Sequence, residues 1–316
     1  GNSGYTIHTQ KDVAGQPKYQ TVPYYVPFPA GEVVKKVGIK SNFLLSSYFM
    51  TYFSLSESGK LYAWGVNSGL LPSAWPVMSS YTNGDTTKTV RTPVQLTILG
   101  ETSFVDFDAS VDNKIWVAIG ASGNAYHIGE VSFNAPATTS FSTMPKPSGV
   151  DVATFKYTNV WVEHSANSAP QLFLKGNNGK IYYSGTHYNA LNSGVPTLVG
   201  IIPTIPSPES EGNVTTLAPV EVSFPVGEDI VSMKVSQIDQ IKNSTYAISS
   251  SGKAYLAGAW KRRVFDAPTR VIIAPLATVP ANADILKTLD GGDTLFTLKR
   301  FTQIAVPPGA AKILDI

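Results

Sequence analysis

Short alternating apolar segments recur along the chain, each just ahead of a Ser-Gly or Asn-Gly pair. They read Tyr52-Phe53-Ser54-Leu55, Trp116-Val117-Ala118-Ile119, Gln171-Leu172-Phe173-Leu174 and Tyr246-Ala247-Ile248. Aromatic and β-branched residues at period two predict strands. The pairs at 58–59, 122–123, 178–179 and 251–252 predict tight hairpin turns, because glycine supplies the positive φ they need. A second strand follows each turn, Leu61-Tyr62-Ala63-Trp64 in the first copy, and closes on another glycine. The pattern Gly-x-x-Tyr-x-x-Gly therefore occurs four times. Its members are Gly59, Tyr62 and Gly65; Gly123, Tyr126 and Gly129; Gly179, Tyr182 and Gly185; and Gly252, Tyr255 and Gly258. Successive copies lie 64, 56 and 73 residues apart, so one hairpin unit is reused with connections of unequal length. The in-register tyrosines read as packing residues rather than a binding cage.

Further strands are predicted upstream of each hairpin. Pro23-Tyr24-Tyr25-Val26, Pro93-Val94-Gln95-Leu96, Pro219-Val220-Glu221-Val222 and Pro268-Thr269-Arg270-Val271 place proline three residues ahead of an aliphatic. Proline suits an outer strand, where its missing donor costs least. The entry is degraded near Pro145 and Pro147. An acid and a second aliphatic strand follow at Glu32-Val33-Val34, Asp151-Val152, Asp229-Ile230-Val231 and Asp284-Ile285-Leu286, whereas Phe104-Val105-Asp106-Phe107 has a different polar lead-in. A fifth inner strand, Leu295-Phe296-Thr297-Leu298, is followed by Phe301-Thr302-Gln303-Ile304 and no glycine-tyrosine strand. Ser3-Gly4-Tyr5-Thr6-Ile7-His8 could supply it from the other end of the chain. The expectation is an all-β propeller of about five four-stranded blades, forming a single domain over 1–316. Its repeat units run approximately 20–65, 91–129, 145–185, 217–258 and 266–306, with 1–10 completing the last blade. Pairing of N- and C-terminal strands would then close the ring and remove exposed edges.

Composition narrows the chemistry. The net charge is +2 with 15% charged residues, too balanced for nucleic acid or an anionic membrane as the default partner. No cysteine occurs, which removes disulfides, thiolate catalysis and cysteine-bound zinc. With four histidines in the chain, no metal site is expected, and no cofactor. No apolar run has the length of a membrane span. The chain begins at Gly1 without a signal-like stretch, which reads as a processed or excerpted N-terminus.

The stretch Ser58-Gly59-Lys60-Leu61-Tyr62-Ala63-Trp64-Gly65-Val66-Asn67 resembles the signature of the regulator of chromosome condensation repeat. Ser251-Gly252-Lys253-Ala254-Tyr255-Leu256-Ala257-Gly258 and Asn178-Gly179-Lys180-Ile181-Tyr182-Tyr183-Ser184-Gly185 are weaker copies, and the resemblance extends over roughly 20–300. It implies a propeller of four-stranded blades. Family members usually have more blades and shorter units, and their usual cysteines and the histidine before the inner strand are missing here. Proteins of this family act as an exchange factor for a small GTPase, as chromatin-binding modules or as β-lactamase inhibitors. Exchange activity in the family depends on a wedge-like insertion and on surface residues that find no match in this sequence.

No catalytic constellation stands out, and the protein is expected not to be an enzyme. Glu163-His164-Ser165 are adjacent in sequence, which does not make a triad. A carbohydrate-active enzyme would need two acids converging across a pocket. Asp106, Asp108 and Asp112 alternate on a strand-like stretch but lack the dense oxygen ligands of a calcium loop, and are expected to face solvent. Gly291-Gly292-Asp293 is turn chemistry without a phosphate-binding lysine. The sequons at Asn213 and Asn243 matter only in a eukaryotic secretory setting. Binding candidates are the basic cluster Lys261, Arg262 and Arg263 beside Trp260, suited to a carboxylate, phosphate or sugar. Aromatics in the long segments 66–92, 130–148 and 186–218, read as inter-blade connections, add Trp75, Tyr81, Phe133, Phe141, His187 and Tyr188. The expectation is a non-enzymatic binding or structural module with protein partners, such as a phage capsid or tail decoration or a receptor-recognition protein. Placement is expected outside the cell or on a virion surface, with a glycan as a further ligand class. A cytoplasmic interaction hub or enzyme inhibitor of the same fold is the alternative.

Overall fold

The computed structural model describes residues 26–41, 50–66, 89–110, 115–129, 138–163, 171–189, 212–239, 242–262, 283–288 and 294–304. These contain only strands, turns and extended segments. The first sheet is built from β1 (Val34–Ser41), β2 (Met50–Ser56), β3 (Leu61–Val66) and β4 (Thr89–Gln95), in that spatial order. The second repeats the meander with β5 (Phe104–Ala109), β6 (Ile115–Gly120), β7 (Ala125–Gly129) and β8 (Thr138–Thr143). The third comprises β9 (Tyr157–Glu163), β10 (Gln171–Gly176), β11 (Ile181–Asn189) and β12 (Gly212–Val222). The fourth holds β13 (Ile230–Asp239), β14 (Lys242–Ser249), β15 (Ala254–Arg262), β16 (Ala283–Thr288) and β17 (Thr294–Gln303), in the order β13-β14-β15-β17-β16.

Four sheets are therefore present among the described residues, where the sequence predicted about five. The strands expected to open a fifth blade do form a hairpin, β16 with β17. Rather than standing apart, β17 pairs with β15, and the hairpin becomes the outer edge of the fourth sheet. The proposed closing strand at 1–10 lies outside the described residues.

Sequence unit and sheet are also offset by one strand. Pro93 falls in β4 and Pro219 in β12, each the outermost strand of the preceding hairpin's sheet. In the first and third sheets the next unit's proline strand thus completes the sheet before it. The segment before Pro145 does the same as β8, despite its degraded motif.

The repeated glycines have two separate structural duties. The turn glycines Gly59, Gly123, Gly179 and Gly252 all adopt φ between 78° and 84°, a region costly for residues with a Cβ. The closing glycines sit where the third strand loses register with the fourth: the irregularities fall between Ala63 and Gly65, His127 and Gly129, Tyr183 and Gly185, and Leu256 and Gly258. Gly65, Gly129 and Gly185 have positive φ there, as bulges of this kind favour.

Three buried clusters join the sheets in sequence. Phe53, Leu61, Phe104, Phe107 and Trp116 fill the seam between the first and second sheets. Ile119, Phe155, Tyr157, Val160 and Tyr182 fill that between the second and third. Phe173, Tyr183, Met233, Tyr255 and Phe301 fill that between the third and fourth. The motif tyrosines Tyr62, Tyr126, Tyr182 and Tyr255 are all buried.

Candidate interaction face

The first three sheets are antiparallel meanders, and the fourth follows the same path through β13, β14 and β15, so their connections alternate between two ends. Turns between second and third strands, and the links from one sheet to the next, lie at one end. At this end the chain is short and pinned. Glu32 accepts hydrogen bonds from Ser58 Oγ at 2.7 Å and Lys60 Nζ at 2.5 Å, both in its own sheet's turn. In the fourth sheet Glu228 is held in the same way by Ser251 and Lys253. In the second, Glu101 accepts from Ser122 and from the hydroxyl of Tyr126. The lysine partner holds the Glu32 carboxyl well below its ordinary range, at about 2, with Ser58 adding to the effect. Glu228 is lowered to about 2 by Lys253 and then Ser249. Burial, reinforced by Glu228, pushes the Tyr255 hydroxyl up to about 12.

The acid that matters in the fourth sheet is thus Glu228 rather than its neighbour Asp229, which pairs with Lys175 at 2.6 Å. Glu101, which precedes Phe104 by three residues, is the missing lead-in of the second unit. Asp151 instead caps a local turn through Ala153 N and Thr154 Oγ1. The pinned ends of neighbouring sheets coincide: the carbonyl of Gly59 accepts from Phe104 N at 2.7 Å, and that of Gly123 from Tyr157 N at 2.9 Å.

Between the ends, the first strands of successive sheets meet. Lys36 on β1 donates to Asp106 Oδ1 at 2.8 Å and to the Phe107 carbonyl at 2.7 Å. Asp106 Oδ2 accepts from Val160 N at 3.0 Å, and Asp108 Oδ2 from Val162 N at 2.9 Å. These aspartates do not face solvent as the sequence suggested. They occupy the backbone donors on the free edge of β9, and Asp106 also ties in the first sheet. Among the described residues no group of three metal-ligating side chains forms, and no helix is long and apolar enough to cross a membrane.

The opposite end carries the long connections. Residues 67–88, 130–137 and 190–211 each join the third and fourth strands of one sheet. They were read from sequence as inter-blade segments; the register makes them intra-blade, and the strand ends that they join all lie at the same end. Trp75, Tyr81, Phe133 and Arg263 lie outside the described residues, as do His164, Ser165, Asp112 and Gly291–Asp293. His187 and Tyr188 lie on β11 beyond Gly185, where the backbone pairs Thr186 through Asn189 with Thr215 through Gly212. Trp260, Lys261 and Arg262 lie on β15 beyond Gly258, paired with Phe296, Leu295 and Thr294. Both sets occupy strand extensions on adjacent sheets, two to four residues past the bulge, two-stranded in the third sheet and three-stranded with β16 in the fourth. Phe141, on β8, packs against the seam between the first two sheets.

No protein-family model matches the chain, and no curated protein sequence does. Solved structures do match in fold. The crystal structure of human WBSCR16 superposes with a TM-score of 0.50 at 12% identity, covering 96% of this chain and 61% of that one. The fold is a β-propeller of the RCC1 type. The structure of yeast RCC1 (Prp20) bound to Kap60 matches with a TM-score of 0.47 and 12% identity, over 93% of this chain and 59% of that one. The chain thus spans about three fifths of the length of these propellers.

Proposed function

We propose that this RCC1-type propeller is a non-enzymatic module that binds a protein partner through the end bearing the long connections. The observation that carries this reading is that the strand ends joined by 67–88, 130–137 and 190–211 all lie at one end of a scaffold pinned at the other. Variable segments on a rigid support are where recognition concentrates. The two β-extensions add aromatic and basic residue types to the same end, the types that anchor interfaces. The yeast RCC1 structure named above is itself a complex with a protein, Kap60. The setting we favour is a surface or virion component outside the cytosol, based on the cysteine-free, weakly charged composition.

Lysines mark both ends, which makes cross-linking from the native source decisive. Partner cross-links at Lys242 and Lys261 are expected. Cross-links concentrated at Lys60, Lys180 and Lys253 would place the partner on the pinned end and overturn the proposal. Recovery with capsid, tail or envelope proteins would support the virion setting, and a single soluble enzyme or GTPase would exclude it.

A further inference from the structure

The seam between the third and fourth sheets contains three buried polar side chains with no hydrogen-bond partner: Gln171 Oε1, Tyr183 Oη and Thr245 Oγ1. Tyr183 and Thr245 are fully buried, and Gln171 is 3% exposed. Strand register places all three on facing surfaces. Tyr183 pairs with Phe173, and both belong to the cluster that fills this seam. Gln171 is two residues from Phe173 on β10 and so shares its face. Thr245 comes from the other side: it pairs with Ala257, which belongs to the same cluster. Among the described residues the other two seams do not gather such groups. Only His127 Nδ1 is unpartnered on β7, and Ser54 and Trp64 are on the face of the first sheet that points away from the second.

We propose that this seam is a binding site for ordered water, which bridges Tyr183, Thr245 and Gln171 between the two sheets. Burying a hydroxyl or amide oxygen without a partner is costly, because its bonds to water are lost and not replaced, and three in one seam multiply that cost. Water suits the chemistry because the two hydroxyls each donate and accept, whereas the amide oxygen only accepts. A guest must therefore supply donors as well as an acceptor, and a neutral one leaves no charge to compensate in an apolar seam. Buried waters in proteins typically make about three hydrogen bonds, the number of groups present. Gln171 pairs with Gly185, the point from which the β11 extension departs, so the site lies beneath the long-connection end.

The test exploits the opposite signs of an orphaned and a hydrated hydroxyl. Tyr183→Phe and Thr245→Val remove the hydroxyls with little change of shape. If water is bound, each variant loses bridging bonds, and Tm falls by about 2–4 °C. If the groups are merely orphaned, removing them relieves their desolvation, and Tm holds or rises, which overturns the proposal. A crystal structure at high resolution gives the independent reading. Density within hydrogen-bond distance of Tyr183 Oη and Thr245 Oγ1 is expected; a dry seam, or direct bonds among the three side chains, refutes it.

Discussion

At the level of single residues, the glycine repeat is two constraints printed in one motif. Gly123 and Gly179 share the same φ, near 80°, but not the same surroundings. A Cβ at Gly123 would collide with the side chain and Cα of Lys156, whereas one at Gly179 meets nothing within 4 Å. Gly179→Ala is expected to cost about 1–2 kcal/mol from backbone strain alone. Gly123→Ala should cost at least about 1 kcal/mol more, because the next sheet's entry must move as well. Urea unfolding of the two variants measures the gap, and equal losses would show that inter-sheet contact adds nothing. Asp108 offers a second test. Replacing it with asparagine keeps the shape but removes the charge that holds Val162 N, and hydrogen exchange at that amide should quicken while amides in β6 are unchanged. Asp106→Ala, which also removes the ion pair of Lys36 but leaves its bond to the Phe107 carbonyl, should cost about 2–3 kcal/mol. The strand bearing these aspartates was legible in the sequence, but their role was not. Period-two alternation gives the face of a strand and not which neighbouring sheet that face meets.

At the level of the element, the acidic lead-in is a staple from the start of a sheet to its own turn. Glu32 and Glu228 titrate at about 2 when folded, below the ordinary carboxylate value of about 4.3. Their contribution is therefore present in full above that ordinary value and is lost as pH falls towards 2. Tm should drop between pH 5 and pH 2, and the double variant Glu32→Gln, Glu228→Gln should flatten that portion of the profile. Salt should weaken the effect, because Lys60 and Lys253 are about half exposed. Hairpins were the most legible elements, since turn chemistry and alternation are local. The outer strands were assigned to the wrong side of each unit because which hairpin a strand pairs with is decided by long-range register. Glu101 escaped notice for a related reason: it lies three residues before its strand, where Glu32 lies two before β1.

Across the whole molecule, the two ends of the propeller carry different burdens. One is cross-tied by carboxylates, lysines and inter-sheet backbone bonds, and the other receives the long connections. Replacing 67–88 with Asn-Gly should leave thermal stability within about 1 kcal/mol, because loop closure depends weakly on length, while partner capture falls sharply. Loss of folding would show instead that this segment is part of the core. The blade count was the least legible feature. The strands of a fifth unit are written in the sequence, but whether they found a sheet or extend one depends on which edge they reach.

The offset between repeat and sheet also bears on inheritance. Because the last strand of each of the first three sheets comes from the start of the following unit, a unit duplicated or deleted there would still meet a waiting edge on one side and offer one on the other. The splice would fall within a sheet, where backbone pairing is indifferent to side-chain identity, rather than at a seam of matched side chains. A chain assembled in this way can change its number of sheets in single genetic steps without ever encoding an unpaired interior edge.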